Sequence, residues 1–140
     1  MDTTPRCGSL ENFMETSCRQ ETEYLISRGL RVRGIRLNVC VDGLWICEHE
    51  AGAFRLSLMP GNRRVLISHS VTIYPAYRGK GIGRKYLKLR EEIAREAGIN
   101  LLLATVRNDN LAETHLLQSE GWKKLTDRNT GVSLWGKELE

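Results

Sequence analysis

Hydrophobic and polar residues follow a helical period at the start of the chain and then alternate. From Ser9 to Arg28 apolar residues recur every three or four positions, which predicts a helix capped by Ser9 and ended by Gly29. Four alternating segments follow, and Asp42-Gly43 between the first two is typical of a two-residue hairpin. These segments are Ile35–Val41, Leu44–Cys47, Phe54–Leu58 and Val65–Ile73. The first half therefore predicts a helix followed by an antiparallel meander.

The second half changes to helices that are followed by strands. Ile82–Ala97 places its apolar residues on one helical stripe, and the continuous apolar run Leu101–Val106 is typical of a strand buried on both faces. A second helix is predicted over Asn108–Glu120, where Asn110 and Glu113 resemble a capping box. Two short strands follow, at Trp122–Thr126 and Val132–Leu139. We therefore predict a single mixed α/β domain (α+β) over residues 1–140.

Composition narrows the class of protein. A chain of 140 residues with 41% hydrophobic and 27% charged residues is typical of one globular domain. No apolar run approaches the roughly 20 residues that span a bilayer, and no secretory signal is visible, so we expect a cytoplasmic protein without a membrane partner. The four cysteines lack metal-ligand spacing, so no metal site is predicted. They are interpreted as free thiols, with a Cys40–Cys47 pair across the hairpin as the alternative.

Positive charge is concentrated in one stretch. The net charge is +4, and residues 78–95 contain seven basic and two acidic side chains. Such a cluster is compatible with nucleic acid or with a small polyphosphate such as coenzyme A.

A glycine-rich turn joins the last alternating strand to the next helix. After Ile73 the chain reads Tyr74-Pro75-Ala76-Tyr77 and then Arg78-Gly79-Lys80-Gly81-Ile82-Gly83. Glycines let backbone N–H groups approach a ligand, and a helix N-terminus attracts anions, so the segment predicts a pyrophosphate site. It is not a Walker A loop, and Arg84 stands where a dinucleotide fingerprint needs its third glycine. An ordinary turn with solvated lysines is the alternative.

The pattern R-x-x-G-x-G, carried by Arg78, Gly81 and Gly83, resembles the acetyl-CoA loop of the GNAT superfamily of N-acyltransferases. Leu101–Val106, Asn110 and Gly121-Trp122 extend the resemblance over residues 64–126, and the C-terminal part is similar to small GNAT-like proteins often encoded by bacteriophages. The resemblance implies a mostly antiparallel sheet flanked by helices. The family usually opens with a strand and two helices, whereas this chain is predicted to open with one helix, so we expect a shortened N-terminal part. It also implies that acetyl-CoA is bound by Val71, Ile73, Arg78, Gly79, Lys80, Gly81, Ile82, Gly83, Arg84 and Asn110.

The resemblance further implies direct attack of an amine on the thioester. The backbone N–H of Ile73 matches the family's thioester and oxyanion contact, and His69 is the candidate base because relatives that acetylate aromatic amines carry a histidine there. Because they are four positions apart, His69 and Ile73 are expected on one strand face. A structural histidine is the alternative for His69. His49 is interpreted as part of a solvated charged loop, with binding or deprotonation of a cationic amine as the alternative.

One position departs from the family's pattern. The tyrosine that many members use as the acid for the leaving sulfur is Leu117 here, and the nearby His115 is predicted on a different helix face. We predict an acetyl-CoA-dependent N-acetyltransferase acting on a primary amine of a small molecule or protein, as a monomer or homodimer. A nucleic-acid-directed member of the fold and a non-catalytic CoA-binding domain are the alternatives.

Overall fold

One seven-stranded sheet organises the chain. The computed structural model describes residues 10–39, 43–127 and 131–140, without the side chains of residues 10–18 and 127. Three α-helices accompany the sheet, and none in the described ranges has the length and apolar character needed to cross a bilayer. In chain order the elements are α1 (Leu10–Val32), β1 (Arg36–Val39), β2 (Trp45–His49), β3 (Gly52–Met59), β4 (Asn62–Ile73), a 3-10 turn (Pro75–Tyr77), α2 (Ile82–Glu96), β5 (Leu101–Arg107), α3 (Leu111–Ser119), β6 (Lys123–Asp127) and β7 (Val132–Glu138).

The strand order is β1-β2-β3-β4-β5-β7-β6. Every neighbouring pair is antiparallel except β4 and β5, which are parallel and are joined through α2. A parallel pair needs such a crossover, because its second strand must start at the same end as the first. The predicted mixed, mostly antiparallel sheet is confirmed.

The first helix ends later than predicted. Gly29 does not stop α1, which continues to Val32, and Gly34 follows with a φ of 78°. Gly29 is buried, and a Cβ atom there would lie 3.4 Å from the Ile93 side chain of α2. The prediction was wrong because this glycine serves close packing of two helices, whereas the left-handed position that ends a helix falls at Gly34.

Some predicted features lie outside the described residues. These are the Ser9 cap, Cys7, Cys40 and Asp42 in the first hairpin, together with the Cys18 side chain. The hairpin itself is present, since Val39 pairs with Trp45. Cys47 is a free, buried thiol, and burial raises its pKa to about 12, so it is unreactive near neutral pH.

The core lies between the helices and one face of the sheet. Leu30 of α1, Ile93 of α2 and Leu117 of α3 are buried in one cluster with Phe54 and Leu66 of the strands. We call this side of the sheet the helix face. On the opposite side, the outer face, residues such as Ser57, Ile67 and His69 are only half-buried. The two faces of β4 therefore offer different environments to a ligand.

Candidate functional site

The sheet splits between its two parallel strands. β4 and β5 are paired only from Val65–Leu101 to Ser68–Ala104, although β4 continues to Ile73 and β5 to Arg107. A cleft of about 370 Å³ opens where the pairing stops, lined by both strands and by Asn110 and Glu113. The split leaves one edge of β4 without a neighbouring strand, which is where a ligand can lie.

A β-bulge in β4 lies at the same point. Leu56 of β3 pairs with Ser68 and Phe54 pairs with Val71, so β4 carries one extra residue there. Paired residues share a face, so Val71 and Ser68 are both on the helix face. Ile73, paired with Gly52, is on that face too. His69 is on the outer face, where its Nε2 lies 2.8 Å from the hydroxyl oxygen of Ser57. The prediction that His69 and Ile73 share a face is wrong, because one inserted residue reverses the alternation.

The edge of β4 presents backbone donors to the cleft. The N–H of Tyr74 donates to the carbonyl of Ala51 at 2.9 Å, toward β3. Because N–H groups alternate in direction along a strand, those of Ile73 and Val71 point to the other edge, where β5 has diverged. The carbonyl of Ile73 accepts from Nε of Arg78 at 2.9 Å, which ties the predicted loop to the strand end.

The glycine-rich turn has the backbone conformation that its residues predict. Gly79 and Gly81 have φ values of 76° and 77°, a region that disfavours side chains, and Gly81 is the N-cap of α2 without a side-chain hydrogen bond. The first N–H groups of α2, beginning at Ile82, have no acceptor within the helix. Lys80 is exposed, with Nζ 5.8 Å from the ring centroid of Tyr77. The turn therefore combines free backbone donors with positive charge.

Tyr77, just before the glycine-rich turn, contacts Glu50, which follows β2. The Tyr77 hydroxyl donates to Oε1 of Glu50 at 3.2 Å. This hydrogen bond and the carboxylate charge raise the pKa of Tyr77.

Asn110 lines the cleft and caps α3, since its Oδ1 accepts from the N–H of Glu113 at 3.2 Å. The cap by Asn110 is confirmed, but the reciprocal half of the capping box is not, because the N–H of Asn110 donates to the carbonyl of Arg107 at 3.0 Å.

Three cations of the basic stretch contact carboxylates. Arg84 lies 3.2 Å from Glu120 and donates to Ser119, so its guanidinium contacts α3. Lys88 lies 3.9 Å from Glu120, and Arg95 lies 3.9 Å from Glu91. Three of the five cations on helix α2 therefore contact a carboxylate, which reduces the positive charge that this part of the stretch offers to a ligand.

One residue counted in that stretch, Arg90, is 3% exposed and points into the protein. Its Nε donates to the carbonyl of Tyr86 at 3.1 Å, and its Nη1 donates to the hydroxyl of Ser68. The guanidinium carbon lies 5.2 Å from the ring centroid of Phe54. Burial lowers the pKa of Arg90 to about 10, against the opposing effect of nearby Glu113, so the side chain is still charged at neutral pH. The sequence carried no signal for this buried cation.

The histidines occupy different environments. Burial, assisted by the charge of Arg55, lowers the pKa of His69, so its imidazole is neutral near pH 7. His49 ends β2, half-buried, with Nδ1 2.9 Å from the Tyr86 hydroxyl. Its interpretation as part of a solvated loop was therefore wrong. Leu117 is fully buried in the core, and His115 is exposed.

Known proteins share this architecture. The model of the acetyltransferase (GNAT) family matches residues 10–122. L-amino acid N-acyltransferase MnaT of Escherichia coli K12 is 39% identical over 59 residues, which cover 42% of this chain and 34% of that protein. L-methionine sulfoximine/L-methionine sulfone acetyltransferase of Salmonella typhimurium is 37% identical over 59 residues, which again cover 42% of this chain and 34% of that protein. The chain thus matches about a third of the length of these curated relatives.

Solved structures agree on the fold. A GNAT-family acetyltransferase from Streptococcus pneumoniae superposes with a TM-score of 0.60 and 22% identity, over 69% of this chain and 66% of that one. YncA from Salmonella typhimurium, solved with acetyl-CoA, superposes with a TM-score of 0.56 and 23% identity, over 69% and 64% of the two chains.

Proposed function

The chain belongs to the GNAT family of acetyltransferases, and from that premise we propose that it transfers an acetyl group from acetyl-CoA to a primary amine of a small molecule. The observation that carries the proposal is the cleft between β4 and β5. One of its edges is an unpaired run of β4, and that strand leads directly into a glycine-capped helix N-terminus.

The residues present fit acetyl-CoA. Gly79 and Gly81 have no Cβ atoms, and the space that a Cβ would occupy at either position has no other atom within 4 Å. A pyrophosphate can therefore approach the N–H groups at the start of α2. Positive charge from Arg78 and Lys80 favours the same anion. The N–H groups of Val71 and Ile73 suit the amides of the pantetheine arm, which can pair with β4 like an added strand.

When bound, acetyl-CoA supplies a thioester whose carbonyl carbon is the electrophile. A backbone N–H of β4 would stabilise the oxyanion that forms there. His69 lies inside the bulge, between Ser68 and Val71, so along the strand it is nearer to Val71 than to Ile73. We therefore assign the thioester to the Val71 end of this edge and a pantetheine contact to Ile73.

His69 is proposed as the base. Its lowered pKa keeps the imidazole neutral near pH 7, so it can accept a proton from the acceptor ammonium, directly or through water. The contact with Ser57 orients the ring on the outer face. The acceptor would then approach from the outer face, while α2 and its loop are on the helix side.

The acceptor is proposed to be a small amine of the amino-acid type. The names of the two relatives, which act on an L-amino acid and on L-methionine derivatives, support this class. Arg55, exposed near His69, could pair with a carboxylate. The contacts of Arg84, Lys88 and Arg95 with carboxylates, together with the burial of Arg90, count against nucleic acid. A cytoplasmic location and a monomeric or homodimeric state stay predictions.

Two glycines at opposite ends of α2 provide a matched test. Gly81 and Gly98 have φ values of 77° and 78°, and a Cβ added at either would have no neighbour within 4 Å. Gly81→Ala and Gly98→Ala should each cost about 1–2 kcal/mol of stability from backbone strain. Acetyl-CoA at a hundred times its Kd should stabilise the parent and Gly98→Ala by about 2.7 kcal/mol, and Gly81→Ala by clearly less.

The measurement is thermal unfolding with and without acetyl-CoA, followed by thiol release with amino acids and other amines. No thermal shift for the parent would contradict the proposed cofactor site. A shift without thiol release from any amine would instead favour a non-catalytic CoA-binding domain.

A further inference from the structure

Ser68 occupies the vertex of the cleft. It is the last residue of β4 that pairs with β5, and it is 2% exposed. Ser68 and Val71 oppose Leu56 and Phe54, which are only two residues apart, so the bulge brings Ser68 to about 7 Å from Val71 along the strand. Both side chains are on the helix face. Ser68 is therefore next to the end of the cleft to which the proposed function assigns the thioester.

The hydrogen bond with Arg90 sets the direction of the Ser68 hydroxyl. A guanidinium has donors and no acceptor, so the Ser68 oxygen accepts from Nη1 and its own proton must point elsewhere. Among the described residues, no acceptor for that proton is seen, and Ser68 lines the cleft. The hydroxyl is thus a donor oriented by a buried cation and available to a group in the cleft.

We propose that the Ser68 hydroxyl donates a hydrogen bond to the leaving sulfur, and that Arg90 is a positioning residue that strengthens this donor. The inference rests on the proposed function. Leu117 stands where many family members carry the tyrosine that acts on the leaving sulfur, and its side chain is fully buried in the core. The Ser68 hydroxyl would supply the hydrogen bond to sulfur that the tyrosine cannot supply here.

The step balances without proton transfer from serine. The amine nitrogen forms the C–N bond, the C–S bond breaks, and its electron pair goes to sulfur. Ser68 keeps its proton and stabilises the thiolate by hydrogen bonding, while the positive charge of Arg90 acts through it. The proton released by the amine reaches sulfur through His69 and water, which gives the amide and the thiol. His69 and Ser68 then act on opposite faces of the sheet.

The thiol of bound CoA reports this interaction without turnover. A hydrogen-bond donor and a cation stabilise a thiolate, so the pKa of the bound thiol should lie below that of free CoA. The ultraviolet absorbance of the thiolate across a pH series measures it. Ser68→Ala should lower the thiolate fraction of bound CoA about tenfold and slow acetyl transfer by a similar factor. Ser68→Thr, which keeps the hydroxyl, should restore both.

A matched control is available on α1. The hydroxyl of Ser27 accepts from Nη2 of Arg31 at 2.5 Å, an equivalent serine–arginine bond on the exposed surface. Ser27→Ala should leave the thiol pKa and the rate unchanged. An identical thiol pKa in the parent and Ser68→Ala would overturn the inference while leaving the proposed function intact. A parent chain that binds no CoA would overturn both.

Discussion

Arg90 and Glu91 are neighbours on α2, both charged and both buried, yet their surroundings differ completely. Glu91 accepts from Nε1 of Trp122 at 3.1 Å and pairs with Nζ of Lys137 at 3.0 Å. Arg90 has no carboxylate in ion-pair contact within the described ranges, and it reaches a carbonyl, the Ser68 hydroxyl and the ring of Phe54. The charge of Glu91 is met by an opposite charge, whereas that of Arg90 is held by neutral groups, one of which, Ser68, lines the cleft.

The difference follows from helix geometry. Consecutive residues of an α-helix point about 100° apart, so one turn of α2 can serve two neighbours. Glu91 connects the helix to Trp122 and to β7, and Lys137 also donates to the carbonyl of Glu120. Arg90 faces β4 at the vertex of the split. A buried ion pair is costly to break, whereas Arg90 has no carboxylate at ion-pair distance among the described residues and feels Glu113 only from further away. We therefore expect stability to depend on Glu91 and chemistry to depend on Arg90.

The largest expected effect is on Glu91. Glu91→Ala leaves the indole N–H of Trp122 and the ammonium of Lys137 without their carboxylate, so it should lower the free energy of unfolding by about 3 kcal/mol. Urea denaturation measures the loss. Glu92→Ala is the control, because that side chain is 61% exposed and lies 4.0 Å from Arg33, so it should cost less than about 1 kcal/mol. Equal losses of unfolding free energy in the two variants would show that the contacts of Glu91 with Trp122 and Lys137 do not stabilise the fold.

Arg90 should give the reverse result. Arg90→Met replaces a buried cation by an apolar chain, so the free energy of unfolding should change by no more than about 1 kcal/mol. The rate of acetyl transfer should nevertheless fall about tenfold, equivalent to about 1.4 kcal/mol of transition-state stabilisation. Urea denaturation and thiol release on the same preparation separate the two quantities. A large loss of stability with a normal rate per folded molecule would make Arg90 a structural residue like Glu91.

These two residues also mark the limit of what the sequence predicts. The apolar stripe of α2 correctly identified Tyr86, Ile93 and Ala97 as buried, and the glycine pattern identified the loop before the helix. Arg90 and Glu91 looked like surface charges, because periodicity assigns charged residues to solvent and says nothing about partners distant in sequence. Their burial depends on Ser68, Trp122 and Lys137, which only the folded chain brings near.

The bulge in β4 was equally invisible. Val65, Ile67, His69, Val71 and Ile73 alternate without interruption, so the sequence places all five on one face. The extra residue shows only when β4 is paired with β3, because the register belongs to two strands and not to one. The candidate site residues were therefore found by motif, while the face on which His69 acts, and the role of Ser68, required the pairing.

The smallest expected effect concerns the outer face. There Arg55 is the cation near His69, as Arg90 is the cation bonded to Ser68 on the helix face. Burial and, secondly, the charge of Arg55 lower the pKa of His69. A base must be neutral to act, so kcat/KM should be lost as pH falls through that pKa. Arg55→Gln removes only the second cause, so the pKa should rise and the acidic limb of the profile should move to higher pH. Arg63→Gln, which removes a positive charge elsewhere on the sheet, should leave the acidic limb of the profile in place. A pH profile of kcat/KM for the three proteins checks this, and an unmoved limb in Arg55→Gln would mean that its charge does not reach the base.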